Sequence, residues 1–221
     1  MAMATFQRLL TEAADTGFDR FFLTGGEPFI LPDIYERIGL ATGLRPTTVL
    51  TNAMLLHGAR LERLLPLRGP HLTLQVSVDG HVAAIHDSYR GAGSWTKSVE
   101  RIRDLLALGF HVAVGATETP VNAPHVDELR QFVAALGVAP EDFFIRPLAR
   151  RGFSTEGEEL GAMDLVPELT ANNDGLYWHP LTTEDDLLVT RRLFPLRDGL
   201  SLLHEHYHEL LSTGARPRPF K

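Results

Sequence analysis

Apolar residues in the first 150 positions alternate between two spacings, and the alternation predicts the elements. Phe6, Leu9, Leu10 and Ala13 recur three and four residues apart, which predicts a helix over Thr5 to Ala14 closed by Gly17. Arg20 to Leu23 then reads as a strand, followed by a helix over Pro32 to Leu40, a strand over Thr47 to Leu50 and a short helix near Ala59 to Leu65. Leu72 to Val76 is the next apolar run. Beyond it, Val99, Ile102, Leu105 and Leu106 line one face of a long helix from an N-cap at Ser94 to Leu108, ended by Gly109. A strand over Phe110 to Val114, a helix from Pro124 to Leu136 and a strand over Phe143 to Arg146 complete the series.

Five strands separated by helical crossovers predict an α/β fold with mostly parallel strands, a partial TIM-like (β/α) barrel. Such folds usually begin on a strand, whereas this chain begins on a helix. It therefore reads as N-terminally truncated, with an open strand edge for a protein partner or a second copy to cover. After Arg150 the pattern changes. Gly152 to Ala162 reads as an acidic surface loop, and Leu165 to Leu169 and Gly175 to Trp178 as short strands. A helix over Leu196 to Leu211 and a tail with Pro217 and Pro219 follow. The expected division is a barrel core over 1–152 and a C-terminal extension over 153–221.

Composition narrows the function. The chain has 221 residues, 44% of them hydrophobic, and no apolar run near the roughly 20 residues of a membrane span. No secretory signal opens it, so the expected location is cytoplasmic. A formal charge of −7, from 28 acidic and 21 basic residues, argues against a nucleic-acid or anionic-membrane partner. There is no cysteine. Disulfides, thiol nucleophiles, thiolate zinc and cysteine-ligated iron–sulfur clusters are therefore excluded for this polypeptide alone.

Candidate chemistry collects at strand ends, the rim where parallel α/β folds bind small molecules. Thr24-Gly25-Gly26-Glu27-Pro28 lets backbone approach a ligand and offers a carboxylate to an amine, or else is only a tight turn. Ser77 and Asp79, two apart, and Asn52 on a neighbouring strand end offer donors and acceptors, or else make turns. His81, His86, Asp87, Tyr89 and Arg90 form a polar stretch that also reads as a solvated connection with Arg90 pairing to Asp87. His204 and His208 share a helix face, but with no evident third ligand they and His206 read as exposed histidines; Trp95, Tyr177 and Trp178 read as packing aromatics.

Taken in series, these turns resemble the radical S-adenosylmethionine (radical SAM) superfamily, in particular its peptide- and sulfatase-maturase branch. The resemblance rests on Phe22 to Pro28, Val49 to Asn52, and Leu74 to Gly80 followed by His86-Asp87 and Tyr89-Arg90-Gly91. The helix from Ser94, the strand to Val114 with Asn122 beyond it, Phe144 to Pro147 and Gly152 continue it. The match spans about residues 5 to 152. It implies S-adenosylmethionine as ligand, with Gly25, Gly26 and Glu27 at the methionine amino end and Ser77, with Asn52 or Arg90, at the ribose or carboxylate. It implies Asp79 as a further rim residue.

The departure is the cluster. Family members carry three cysteines upstream of the helix that here begins at Thr5, and relatives often carry auxiliary clusters in a C-terminal extension resembling Asp174 to Pro180. This chain has neither set. The resemblance therefore implies no iron–sulfur cluster in this chain and no assigned catalytic residue. The expectation is a non-catalytic binding or partner subunit that keeps a ligand cleft. One alternative is a shortened form of an enzyme whose 4Fe–4S motif lies upstream; another is a cluster-free enzyme using Glu27, Asp79, His81 or His86 as acid or base.

Overall fold

A computed structural model describes residues 1–150, 157–158, 160–181 and 184–212. Gly152, the proposed boundary at 152/153 and the prolines 217 and 219 lie outside the described residues. The chain forms two compact units, one of Asp19–Pro147 and one of Met1–Phe18 with Leu148–Lys221.

The unit Asp19–Pro147 is a curled, open half-barrel. Its strands β1 (Phe21–Leu23), β2 (Thr47–Thr51), β3 (Leu72–Ser77), β4 (His111–Glu118) and β5 (Phe143–Pro147) lie side by side in chain order, every pair parallel. Crossovers carry the helices α2 (Ile34–Thr42), α3 (Ala59–Leu64), α4 (Ala83–Arg90), α5 (Ser94–Ala107) and α6 (Val126–Ala135). Strand alternation gives the sheet two unlike faces. The register aligns Val49, Leu74 and Val112 in one row, and Thr51, Val76, Val114 and Phe143 in the next. The apolar members of these rows are buried against Ile38, Ile102, Leu105, Leu129 and Val133 of the helices. The other face carries Leu50, Gln75, Ser77, Ala113, Gly115 and Thr117, with the exposed rings of Phe22 and Phe144 on the edge strands.

The second unit contains helix α1 (Met3–Asp15), a three-stranded antiparallel sheet of β6 (Thr170–Ala171), β7 (Leu176–Tyr177) and β8 (Leu188–Thr190), and helix α7 (Leu196–Ser212). Leu165, Trp178, Leu187 and Leu203 form its small core. The Glu12 carboxylate accepts the Leu196 amide at 2.7 Å, which stitches α1 to the start of α7 and holds that carboxyl below its usual range. No helix of the described residues is long and apolar enough to cross a membrane.

Several expectations need correction. His81 to Arg90 is not a solvated connection: Ala83–Arg90 is helical, and His86 is fully buried. Ser94 is not the N-cap of α5, because Gly93, at φ +76°, holds that position and Ser94 lies in the first turn. Strand β4 runs to Glu118, four residues past Val114. Leu165 to Leu169 is not a strand; Leu165 serves the core, β6 begins at Thr170, and β8 supplies the third strand.

Gly80 shows how closely α4 meets the end of β3. A Cβ there would lie 2.7 Å from the His86 amide nitrogen and 2.8 Å from the Ile85 Cβ, both too near for real contacts. Gly80→Ala is expected to destabilise the protein by about 1–3 kcal/mol, the usual range for overpacking. Urea unfolding checks this: the midpoint should fall, and an unchanged midpoint would show that the helix start yields freely.

Candidate functional site

Each crossover leaves a strand at its C-terminal end, so the loops after β1, β2, β3 and β4 gather on one rim. Gly25, Gly26, Glu27, Asn52, Ser77 and Asp79 all stand there, and Arg90 reaches it from the last turn of α4. The two carboxylates among them, Glu27 and Asp79, are committed to main-chain amides, the Thr51 hydroxyl and Arg90.

Glu27 ties the first two strand ends. One carboxylate oxygen accepts the Phe29 amide at 3.1 Å and the Thr51 hydroxyl at 2.8 Å, and the other accepts the Asn52 amide at 2.8 Å. The Thr51 hydroxyl oxygen also accepts the Ala53 amide at 2.9 Å, which holds Ala53 buried in the left-handed region at φ +60°. An alanine is rare there, and the turn around it supplies the compensating bonds. The Asn52 side-chain oxygen accepts the Met54 amide, and its main-chain carbonyl accepts the Ser98 hydroxyl of α5 at 2.9 Å.

Asp79 does the same for the next pair. Val78 donates its amide to the Gly115 carbonyl, and one Asp79 carboxylate oxygen then accepts the Thr117 amide at 2.8 Å. A side chain thus continues the ladder on the β3 side where that strand has ended, while β5 pairs with β4 from Val114 to Glu118 on the other side. The other oxygen pairs with Arg90 Nε. The Asn122 side-chain nitrogen donates to the carbonyls of Asp79 and Thr117, both at 2.8 Å, and its oxygen accepts the Thr119 amide.

The Arg90–Asp87 pairing is not formed. Asp87 instead caps α5, accepting the amides of Trp95 at 2.8 Å and Gly93 at 2.7 Å and the Ser94 hydroxyl at 3.1 Å. These donors hold its carboxyl below the usual carboxylate range. The Trp95 indole donates to the Gly80 carbonyl at 3.0 Å and stacks on Phe132, so it serves packing, as expected.

What remains open to a ligand is backbone, neutral polar side chains and part of one guanidinium. Gly25, at φ +143°, and Gly26 are exposed, and a Cβ at either would meet no atom within 4 Å. On the same rim lie half-buried Asn52 and Ser77 and the partly exposed Arg90 guanidinium. Such a set suits a ligand with an amine for main-chain carbonyls, hydroxyls for Asn52 and Ser77, and a carboxylate for arginine. Among the described residues no group of three His, Cys, Asp or Glu side chains is placed to hold a metal ion. On α7, His204 and His208 are exposed, and His206 packs its ring 5.2 Å from Trp178.

Sequence reasoning missed Thr51, Ser98 and Thr117. Their signal is a hydroxyl or an amide that matters only once β2, β4 and α5 are adjacent. The helix at 83–90 had a local signal in Val82-Ala83-Ala84-Ile85, masked by the polar residues after it.

Known proteins share parts of this sequence and this fold. The model of the radical SAM superfamily matches residues 2–133. An AdoMet-dependent heme synthase of Methanosarcina barkeri is 31% identical over 162 residues, covering 72% of this chain and 45% of that protein. SuiB of Streptococcus suis, solved bound to S-adenosylmethionine, superposes with a TM-score of 0.57 at 17% identity over 96% of this chain and 41% of its own. The same protein has been solved bound to its precursor peptide SuiA. AnSMEcpe with bound AdoMet superposes with a TM-score of 0.68 at 12% identity, over 93% of this chain and 73% of its own. The chain spans less than half the length of the curated relatives it matches.

Because Glu27 accepts from three donors, Glu27→Gln would turn an amide NH₂ against some of them. The expected cost is about 1–3 kcal/mol, the range for a hydrogen-bonded charge replaced by a mismatched donor. Thermal unfolding measures it; a variant as stable as the parent would show that the β1–β2 junction does not depend on this carboxylate.

Proposed function

The chain belongs to the radical SAM superfamily, and from that premise we propose that it is a cluster-free member acting as a binding or partner subunit, with the rim serving as a cleft for an S-adenosylmethionine-type ligand. One observation carries the reading: the rim's acidic side chains are bonded within the protein, while the turn at Gly25 and Gly26 presents exposed main chain with open space where a Cβ would stand. Exposed main chain without side chains is what close approach of a ligand to backbone requires.

The two groups that the family implies fare differently against these residues. S-adenosylmethionine fits: the amino group to the main chain around Gly25 and Gly26 beside Glu27, the ribose to Ser77 and Asn52, the carboxylate to Arg90, and Asp79 holding that arginine. A cysteine-ligated cluster does not fit, since none of the 221 residues can supply a thiolate. In the family the cluster delivers one electron to the sulfonium, so reductive cleavage is not assigned to this polypeptide alone. The heme synthase and the solved relatives are named for, or shown with, S-adenosylmethionine, which favours this ligand over another of similar polarity.

Partner binding has separate support. β1 and β5 are the edge strands of the five-stranded sheet, and each exposes a phenylalanine, Phe22 and Phe144. An edge of this kind can take a further strand from a peptide, another protein or a second copy.

Calorimetric titration with S-adenosylmethionine tests the ligand reading. Saturable binding with a Kd on the order of micromolar is expected. Gly26→Val should weaken it by about tenfold or more without changing the unfolding temperature, because the new side chain meets ligand space and no protein atom. Absence of heat and of thermal stabilisation at millimolar ligand would refute the cleft. Gly26→Val binding like the parent would move the site away from this turn.

A further inference from the structure

We infer that His86 is a positioning residue that makes ligand affinity at the rim depend on pH, by holding Asp79 in place only while its imidazole is neutral. This rests on the reading of the rim as a ligand cleft.

The imidazole is fully buried, and its Nδ1 accepts the Asp79 amide at 3.0 Å. A neutral imidazole has one donor and one acceptor nitrogen, so this bond puts the proton on Nε2. Nε2 is buried and finds no partner. A second proton would have to enter at Nδ1, where it would face the Asp79 N–H donor to donor. The bond can therefore exist only with the neutral ring. Burial lowers the pKa below its ordinary 6.5. The charged groups acting on the ring are Asp79 from the turn after β3 and Asp87 and Arg90 from its own helix; Asp79 and Asp87 favour protonation and Arg90 opposes it. Helix α5, packed against α4, brings the neutral Ser94 and Trp95 to Asp87.

Asp79 passes the effect on. Its carboxylate carries Arg90 and the Thr117 amide, and its carbonyl carries Asn122. Losing the amide bond frees the main chain at the centre of that set, and Arg90 loses its fixed position over the cleft. The sign follows from linkage: a histidine with a lowered folded pKa favours the folded arrangement with the Asp79 bond made at neutral pH, and that preference declines as pH falls below 6.5.

Asparagine keeps an acceptor oxygen close to the place of Nδ1 and does not titrate, so His86→Asn separates position from charge. Binding of S-adenosylmethionine should weaken in the parent from about pH 7.5 to about pH 5.5, by at most tenfold per pH unit for one coupled proton. His86→Asn should bind like the parent at the higher pH and change little at the lower. A parent affinity flat across this range, or His86→Asn retaining the parent slope, would overturn the inference while leaving the cleft intact. If S-adenosylmethionine binds at neither pH, the ligand reading fails, and nuclear magnetic resonance of the ligand-free protein still decides. Asp79 amide shift and exchange protection that follow His86 protonation sustain the coupling; an Asp79 amide indifferent to that proton refutes it.

Discussion

Asp79 stands where β3 has ended and β4 has not, and the rim depends on how its three polar groups are used. Its carboxylate substitutes for a missing strand carbonyl toward Thr117, its carbonyl takes the Asn122 amide, and its own amide goes to a buried imidazole. Each of these partners comes from a different segment. Removing the residue would leave a buried amide, a buried imidazole and a strand end unpaired together, and buried polar groups are costly when unpaired. Arg90, paired with this aspartate, is thereby fixed at the rim. Glu27 joins neighbouring strand ends in the same way two strands over, and Gly80 lets α4 come close enough for His86 to reach the Asp79 amide.

This use of acidic residues explains how two carboxylates can stand together at the rim. Negative side chains in a cleft normally need a cation, a proton or hydrogen-bond donors. Here Glu27 and Asp79 receive donors from neighbouring strand ends, so the arrangement is self-sufficient. The turn at Gly25 and Gly26 carries no charged side chain and is exposed main chain.

Much of this fold was legible in sequence because parallel strands buried against helices read as compact apolar runs, and Val49, Leu74 and Val114 sit in such runs. The rim was legible too: polar or glycine-rich residues directly after those runs mark Gly25, Asn52, Ser77 and Asp79. The partners of those residues were not. Pattern gives no reason for Asp79 to meet Thr117, 38 positions away, or for Asn52 to meet Ser98, 46 positions away. Such bonds depend on strand order and register, which no local period encodes. Helix α4 escaped because its face toward the core is borne by a histidine, and a histidine paired to a main-chain amide behaves as a core residue. The short strands β6 to β8 carry too few residues for alternation to register.

Hydrogen–deuterium exchange of the 221-residue chain with and without S-adenosylmethionine addresses most directly whether this self-bonded rim is a working cleft. Added protection should concentrate at residues 24–27, 51–54, 77–80 and 115–118, with the helix at 196–212 unchanged. Protection absent from those strand ends at saturating ligand, or confined to the C-terminal helix, would contradict the assignment of the ligand to the rim.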